Sequence, residues 1–197
     1  MKKYEFTGET KDFGGVELHR IRALKDFGDV AAGDLGGWIE KEENLSHDGR
    51  CWVCGNARVY GDARVSGDAQ VSGDAQVSGD ARVSGDAWVY GNALVSGNAR
   101  VSGDAWVAGD AEIKATKDTF WISAIGSRYG TTTFFRCADG KVRVTCGCFY
   151  GDLDEFLAKV EKTHGDSKHG KAYKKLIELA KIQMEEKSPE EVTRSCL

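Results

Sequence analysis

An apolar residue recurs at every sixth position through the middle of this chain, and this period constrains the fold more than any other feature. The run has eleven members without a break: Val53, Val59, Val65, Val71, Val77, Val83, Val89, Val95, Val101, Val107 and Ile113. A small residue stands two positions before each member, first a cysteine and then always alanine, and Gly-Asp or Gly-Asn precedes every such alanine. The repeated unit is Gly-Asp-Ala-x-Val-Ser, which explains why the chain holds 25 glycines but a single proline.

Each hexad has the pattern of one short strand. Alanine inward, x outward and valine inward is the period of two that a strand with one buried face requires. Glycine followed by Asp or Asn accepts the backbone angles of a tight corner. A strand of about four residues cannot bury its apolar face alone, so stacked copies must share one core. The repeat therefore predicts a β-helix and not a flexible linker, in which valine would not keep one phase.

These hexads resemble the hexapeptide-repeat family, in which three hexads form one coil of a left-handed parallel β-helix. The resemblance covers roughly residues 39–113 and implies a triangular solenoid, commonly a trimer with ligands between subunits. Trp38-Ile39 and Asn44-Leu45 fit as two earlier hexads, with a two-residue insertion before Val53. The expected fold class is mainly β, a left-handed parallel β-helix of hexapeptide repeats.

The segments on either side of the repeat have other patterns. Residues 1–38 contain two alternating segments around a glycine turn, which predict an N-terminal hairpin and a β cap for the open end of the helix. The β-helix is expected over residues 39–113. Residues 114–197 predict a small C-terminal α+β domain of three strands and two helices, the first helix opened by Asp152 and the second ending near Pro189.

The outward positions form three columns if three hexads make a coil, because residues 18 apart then lie about 4.8 Å apart on one face. One column is mixed and consists of Arg58, Gln76, Leu94 and Glu112. The second is basic and consists of Arg64, Arg82 and Arg100. The third is mainly aromatic and consists of Trp52, Gln70, Trp88 and Trp106. The sequence thus predicts one basic face and one aromatic face.

Two interpretations of these faces remain open. Stacked guanidinium groups repel one another unless an anion, a carboxylate or a neighbouring chain compensates them, and exposed tryptophans form a patch typical of an interface. Both faces could pack internally, against the chain ends or between subunits. Alternatively, in a homotrimer, the arginine face of one subunit meets the tryptophan face of the next and forms a cleft for a nucleotide-like anion. The predicted ligand-binding residues are then Arg64, Arg82, Arg100, Trp52, Trp88 and Trp106.

Composition argues against several classes of protein. Lys and Arg number 27 against 31 Asp and Glu, a formal net charge of −4, so no overall basic field favours DNA binding. The sequence has no apolar run of the length of a membrane span or signal peptide. Six cysteines follow no disulfide-scaffold pattern, which suits a reducing compartment. We expect a protein of the cytoplasm of a bacterial host, with neither DNA nor membrane as a partner.

Catalytic and metal chemistry have little support in the residues. The resemblance implies acyltransferases as one possibility, but these use a histidine general base and residues 51–113 contain none. Two possible metal sets are Asp68, Asp86 and Asp104 at one corner, and Cys137, Cys146 and Cys148 with His164 and His169. Corner geometry explains the first set and structural thiols the second. We therefore expect no metal, no cofactor and no catalytic residue.

The chain ends resemble phage proteins. Residues 123–128, 146–149 and 153–156 resemble a small uncharacterised domain of phage and prophage proteins, and residues 36–40 resemble the same group. The resemblance implies an accessory protein that binds a host component. We predict a non-enzymatic protein that sequesters a nucleotide-like anionic host signal between its subunits, as in counter-defence, or that binds a host protein. The alternatives are an acyltransferase-like hexapeptide-repeat enzyme and a purely structural assembly module.

Overall fold

Each hexad of the repeat forms one two-residue strand, and three such strands complete one coil of a solenoid. The computed structural model describes residues 2–184. Its strands are β1 (Tyr4–Phe13), β2 (Val16–Ala23), β3 (Leu35–Ile39), β4 (Trp52–Val53), β5 (Arg58–Val59), β6 (Arg64–Val65), β7 (Gln70–Val71), β8 (Gln76–Val77), β9 (Arg82–Val83), β10 (Trp88–Val89), β11 (Leu94–Val95), β12 (Arg100–Val101), β13 (Trp106–Val107), β14 (Glu112–Ile113), β15 (Thr119–Ile125), β16 (Gly130–Arg136), β17 (Val142–Cys146) and β18 (Phe149–Asp152). Its helices are α1 (Leu153–His164) and α2 (Lys168–Met184).

Three parallel sheets form the sides of the solenoid. We call the outer side of β6-β9-β12 the arginine face and that of β4-β7-β10-β13 the tryptophan face; the third sheet continues from β3 through β5, β8, β11 and β14. Residues 18 apart are paired neighbours, as Arg64 with Arg82 and Trp88 with Trp106 show. The prediction of a repeat β-helix with three strands to a coil is confirmed. Its left-handed sense stays a prediction from the resemblance.

The interior is narrow and is filled by the alanine and valine of each hexad. Ala75 and Val77, for example, are fully buried, and the same holds for nearly every equivalent pair. Cys51 takes the alanine position in the first coil and is equally buried. Because three sheets converge on this interior, one small and one medium side chain per strand suffice to fill it.

The N-terminal segment joins the solenoid through backbone pairing. Strands β1 and β2 form the predicted hairpin, and β2 pairs antiparallel with β3. Strand β3 then runs parallel to β5, with Trp38 opposite Arg58. That offset is 20 residues instead of 18, as the predicted two-residue insertion requires. Leu45 likewise lies opposite Val65.

Each coil donates backbone N–H groups to alanine carbonyls of the coil that follows. Arg64 N, for example, donates to Ala81 O at 2.9 Å. The first coil has no preceding coil, so its carbonyls need hydrogen-bond donors from elsewhere. On the third face, a backbone N–H of β3 donates this hydrogen bond to the carbonyl of the first coil. On the other two faces a buried side chain does so: Asn44 Nδ2 donates to Ala63 O at 2.9 Å, and Lys3 Nζ donates to Cys51 O at 2.8 Å. Two side chains thus replace a missing coil and close the end of the solenoid.

Replacing Lys3 by methionine should destabilise the protein by about 1–3 kcal/mol, because the Cys51 carbonyl would stay buried without a donor. Methionine has a similar length and is expected to fill the same space. The free energy of unfolding in urea measures the effect, with Lys171→Met on the exposed side of α2 as the matched control. Equal stability of the two variants would contradict the capping role of Lys3.

The C-terminal segment closes the other end. Strands β15 to β18 form an antiparallel sheet with α1 and α2 packed on it through a second core that includes Phe134, Phe156 and Tyr173. Its opposite side meets the last coil, where Thr133 Oγ1 accepts the Trp106 N–H at 3.0 Å. A small α+β unit was predicted, and helix α1 begins at the capping box of Asp152 as expected.

Two details differ from the sequence prediction. The sheet has a fourth strand, β18, because the chain turns back directly after β17 and pairs Phe149 with Cys146. The predicted end of the second helix near Pro189 lies outside the described residues. Within the described part of the chain, neither helix has an apolar run long enough to cross a bilayer.

Candidate functional site

The three predicted arginines form one exposed row. Strands β6, β9 and β12 place Arg64, Arg82 and Arg100 at the same position of successive coils. Because these strands are parallel neighbours, the Cα atoms repeat at about 4.8 Å. All three residues are exposed. We call them the arginine row.

The arginine row lacks close charge partners in the described part of the chain; Asp62 interacts with Arg64 electrostatically but forms no ion pair with it. Within residues 2–184, none of its guanidinium groups makes a hydrogen bond or an ion pair, whereas Arg50 binds the carboxylate of Asp68 at 2.6 Å. Two unit charges 4 Å apart repel by roughly 1 kcal/mol in water and about four times as much near a protein surface. Alignment of three unpaired cations therefore costs stability in the isolated chain, and an anion bound across the row would remove that cost.

A row of serines runs beside the arginine row. We call Ser46, Ser66, Ser84 and Ser102 the serine row; all four are half-buried and each can donate one O–H. Both rows line one groove of about 840 Å³. Ser66, Ser84 and Ser102 follow directly from the repeat, as the residues after each valine of the arginine face. Ser46 was missed, although the two-residue insertion places it below Ser66, where its N–H donates to Val65 O at 2.9 Å.

An acidic loop, residues 42–48, closes one end of this groove. Glu42, Glu43 and Asp48 all line the groove. Glu42 is held by a hydrogen bond from Lys2, which lowers the pKa of that carboxyl group. The side-chain carboxylates of Glu43 and Asp48 make no ion pair or hydrogen bond to any described residue. The repeat pattern does not indicate this loop, because the position of the loop depends on how the chain enters the first coil.

His47 fixes the acidic loop in place. Its ring stacks on Tyr4 with the ring centroids 4.3 Å apart. Its Nδ1 accepts the backbone N–H of Lys3 at 3.1 Å, and its Nε2 is buried 3.7 Å from a Glu42 oxygen. With both ring nitrogens turned inward, His47 supports the loop and does not present a general base to the groove.

The tryptophan face carries two of its three tryptophans at the surface. Trp88 and Trp106 stack with centroids 5.4 Å apart and an interplanar angle of 16°, and they are 46% and 39% exposed. Trp52 is only 3% exposed because it packs edge-on against Phe27 and Tyr4. The prediction that Trp52 contributes to a ligand surface is therefore wrong for the chain as folded here: the N-terminal segment covers that side chain.

The arginine and tryptophan faces are neighbouring sides of the solenoid and meet along one corner. Within one chain they point in different directions: the arginine row lines the groove, and Trp88 lines a separate recess. The corner between them carries Asp68, Asp86 and Asp104. Asp68 holds Arg50, and Asp104 accepts a hydrogen bond from Ser123 at 3.0 Å, so two of these acids have structural partners.

The three cysteines of the C-terminal unit differ in exposure: Cys137 is buried, Cys146 is half-buried and Cys148 is exposed. Burial raises the pKa of Cys137 to about 11, so this thiol stays protonated near neutral pH. Cys146 accepts a hydrogen bond from Thr132 Oγ1 at 3.2 Å. His164 stacks on Tyr173 with the centroids 5.7 Å apart. Cys137, Cys146 and His164 each have a packing or hydrogen-bonding role in the α+β unit.

Comparison with known proteins identifies the repeat. A family model described as "YdcK Beta solenoid repeat" matches residues 53–67, 57–73, 75–91, 87–103 and 93–109. These matches lie within the hexads that form the three sheets. The chain therefore contains a β-solenoid of the repeat type, as the sequence period predicted.

A curated protein shares part of this solenoid. The "Uncharacterized acetyltransferase YdcK" of Escherichia coli (strain K12) is 39% identical to this chain over 61 residues, which is 27% of this chain. The matched segment is 19% of that protein, so the chain spans about a fifth of its relative's length. Similarity of this extent identifies the repeat; the activity in the printed name concerns the relative.

Proposed function

We propose that this β-solenoid protein binds and sequesters a nucleotide-like anion on its arginine row, without catalysing a reaction. The observation that carries the proposal is the row of three aligned arginines, none of which has an ion pair or hydrogen bond among the described residues, in a groove that also offers four serine hydroxyls. Guanidinium groups bind phosphate oxygens through paired hydrogen bonds, and hydroxyl donors add to such a site. In each of the three coils that carry an arginine, a serine follows the strand and supplies the second kind of donor.

A neighbouring copy would supply the second wall of the site. Because the arginine and tryptophan faces are adjacent sides of one solenoid, copies arranged in a ring present the arginine face of one to the tryptophan face of the next. In the proposed homotrimer, Trp88 and Trp106 of the neighbour would cover the groove, which agrees with their exposure in the single chain. An aromatic wall over the coils of Arg82 and Arg100 would exclude water from phosphate groups bound there, which strengthens their hydrogen bonds to the guanidinium groups.

The biological setting follows from the resemblance of the chain ends to phage proteins. A phage accessory protein that retains a nucleotide signal in the cytoplasm of its bacterial host would blunt a defence that depends on that signal. Sequestration needs only affinity, and the groove offers guanidinium and hydroxyl donors that bind an anion without any reaction.

Replacing Arg82, the central member of the row, by glutamine should weaken the binding of pyrophosphate and of nucleoside diphosphates at least about tenfold, because one charged hydrogen-bonding group contributes roughly 1.5–3 kcal/mol. Isothermal titration calorimetry on the full chain measures this. Arg128→Gln, which removes an exposed arginine of the C-terminal unit, is the matched control and should bind as the unaltered protein does.

Native mass spectrometry of the same two variants reports the number of subunits. Weaker binding with an unchanged oligomer assigns Arg82 to the ligand. Loss of the oligomer in Arg82→Gln would instead assign the row to a subunit contact. Absence of binding to every phosphate compound tested, in the unaltered protein, would overturn the proposed function and leave a host protein or an assembly role.

An acyltransferase is the second candidate, and the printed name of the relative from Escherichia coli is the observation that favours it. Such an enzyme needs a base that reaches its substrate. In the described part of this chain, His47 has both nitrogens turned inward and His19 stacks on Phe6 of the hairpin. Acetyl-coenzyme A that copurifies with the protein or is consumed by it would support the enzyme over the binding protein.

A further inference from the structure

Charge is distributed unevenly along the groove. Arg82 and Arg100 lie beyond the reach of the acidic loop, whereas Arg64 is the member next to it and shares a small recess with Glu43 and Asp62. The groove is thus cationic along two coils and anionic at its closed end. A uniform polyanion fits such a groove poorly, because its last charged group would meet Glu43 and Asp48.

We propose that the groove binds a guanine nucleotide lengthwise, with the phosphates on Arg82 and Arg100 and the base at Glu43 and Asp48. This inference rests on the proposed function and specifies its ligand. The ligand must be anionic at one end and rich in hydrogen-bond donors at the other, since the two ends of the groove differ in that way.

The length of the groove agrees with this orientation. Each member of the serine row marks one coil. Ser46, at the acidic loop, therefore lies two coils from Ser84, and Ser84 stands beside Arg82. Two strand spacings amount to about 10 Å. A nucleoside diphosphate that lies along the row can therefore place its base at the loop while its phosphates reach the upper two guanidinium groups. Arg64, between the two ends, faces the sugar.

The choice of guanine follows from what a carboxylate can do. An ionised carboxylate only accepts hydrogen bonds. Guanine offers two adjacent donors, N1–H and the 2-amino group, on the edge that it uses for base pairing. Adenine and cytosine offer an amino group beside a ring nitrogen whose lone pair repels a carboxylate, and uracil offers one N–H between two carbonyl groups. The free carboxylates of Glu43 and Asp48 therefore favour guanine over the other bases.

Calorimetric titration of the full-length protein with GDP, IDP, ADP and pyrophosphate tests this inference. IDP differs from GDP only by the missing 2-amino group, so it is the matched ligand. We expect GDP to bind about tenfold more tightly than IDP, because one hydrogen bond to a charged group is lost. The double variant Glu43→Gln, Asp48→Asn should lose this preference and keep its affinity for pyrophosphate, which also shows that it is folded.

The control variant is Glu9→Gln, an exposed acid of the N-terminal hairpin, which should keep the preference for GDP. If GDP, IDP and ADP bind equally and pyrophosphate also binds, the guanine assignment is wrong and the proposed function stands. If pyrophosphate and all three nucleotides fail to bind, the proposed function is wrong as well.

Discussion

Replacement of Gly85 by alanine will destabilise the solenoid by at least about 3 kcal/mol, more than expected for a positive backbone angle alone. Gly85 forms a corner between two strands with φ of +70°. A Cβ atom there would lie 2.8 Å from the backbone nitrogen of Gly103, the equivalent corner of the following coil. Side chains can move aside, but this contact is with backbone that belongs to the hydrogen-bonded stack.

Gly140 provides the matched control. It has φ of +77°, in the turn between β16 and β17, and a Cβ atom there would have no described atom within 4 Å. Gly140→Ala should therefore cost only the conformational term of about 1–2 kcal/mol. The difference between the two variants isolates the contact between successive corners.

Urea unfolding followed by circular dichroism measures both free energies. Two equal losses of stability would show that the coils can separate enough at this corner to admit a methyl group. The close approach of corner glycines in successive coils would then not be required for the coils to stack. An unchanged slope of the transition is the condition for comparing the two values.

The solenoid could be predicted from sequence because a single period determines every contact in it. One valine phase fixes the inward positions, and the 18-residue coil then fixes which outward residues are neighbours. Arg64 and Arg82 could be placed side by side from this alone, as could Trp88 and Trp106. Few folds permit such a prediction, since contacts distant in sequence usually depend on packing that no local pattern records.

The ends of the groove could not be predicted, because they depend on how irregular segments pack on the regular coils. Nothing in the repeat indicates that Phe27 and Tyr4 cover Trp52. The acidic loop is likewise set by the 3₁₀ turn Glu42–Asn44, whose Asn44 replaces a strand donor. Ser46 could have been identified from the sequence by applying the 20-residue offset to Ser66. The positions of the carboxylates around Ser46, by contrast, depend on tertiary packing.

Deletion of six residues should abolish the preference for GDP over IDP, whereas deletion of eighteen should retain it, because only the longer deletion keeps an arginine directly above Arg64 and the acidic loop. Removal of residues 67–84 takes out one whole coil, so that Arg100 stacks directly on Arg64 and two members of the arginine row remain adjacent. Removal of residues 67–72 takes out one side of a coil, so that every later hexad moves to the neighbouring face of the solenoid. Arg82 and Arg100 then continue the column of Arg58, and Trp88 takes the place above Arg64.

Both deletions should leave the protein folded, because every hexad contributes the same inward alanine and valine and the same glycine corner. The C-terminal unit packs on the last coil and moves with it. Stability is nearly a sum over neighbouring strands in such a solenoid, so the longer deletion should cost more free energy of unfolding. The two measurements are therefore expected to change in opposite order: the more stable variant is the one that loses the preference for GDP.

Calorimetry with GDP, IDP and pyrophosphate and urea unfolding on the two shortened proteins provide the comparison. Pyrophosphate should bind to both, since each keeps aligned guanidinium groups. An equal preference for GDP in both would mean that the base does not need the acidic loop below the arginines that hold the phosphates, and the guanine assignment would be wrong. Loss of this preference only in the shorter deletion requires that the three sides of the coil differ in function, although their interiors are built alike.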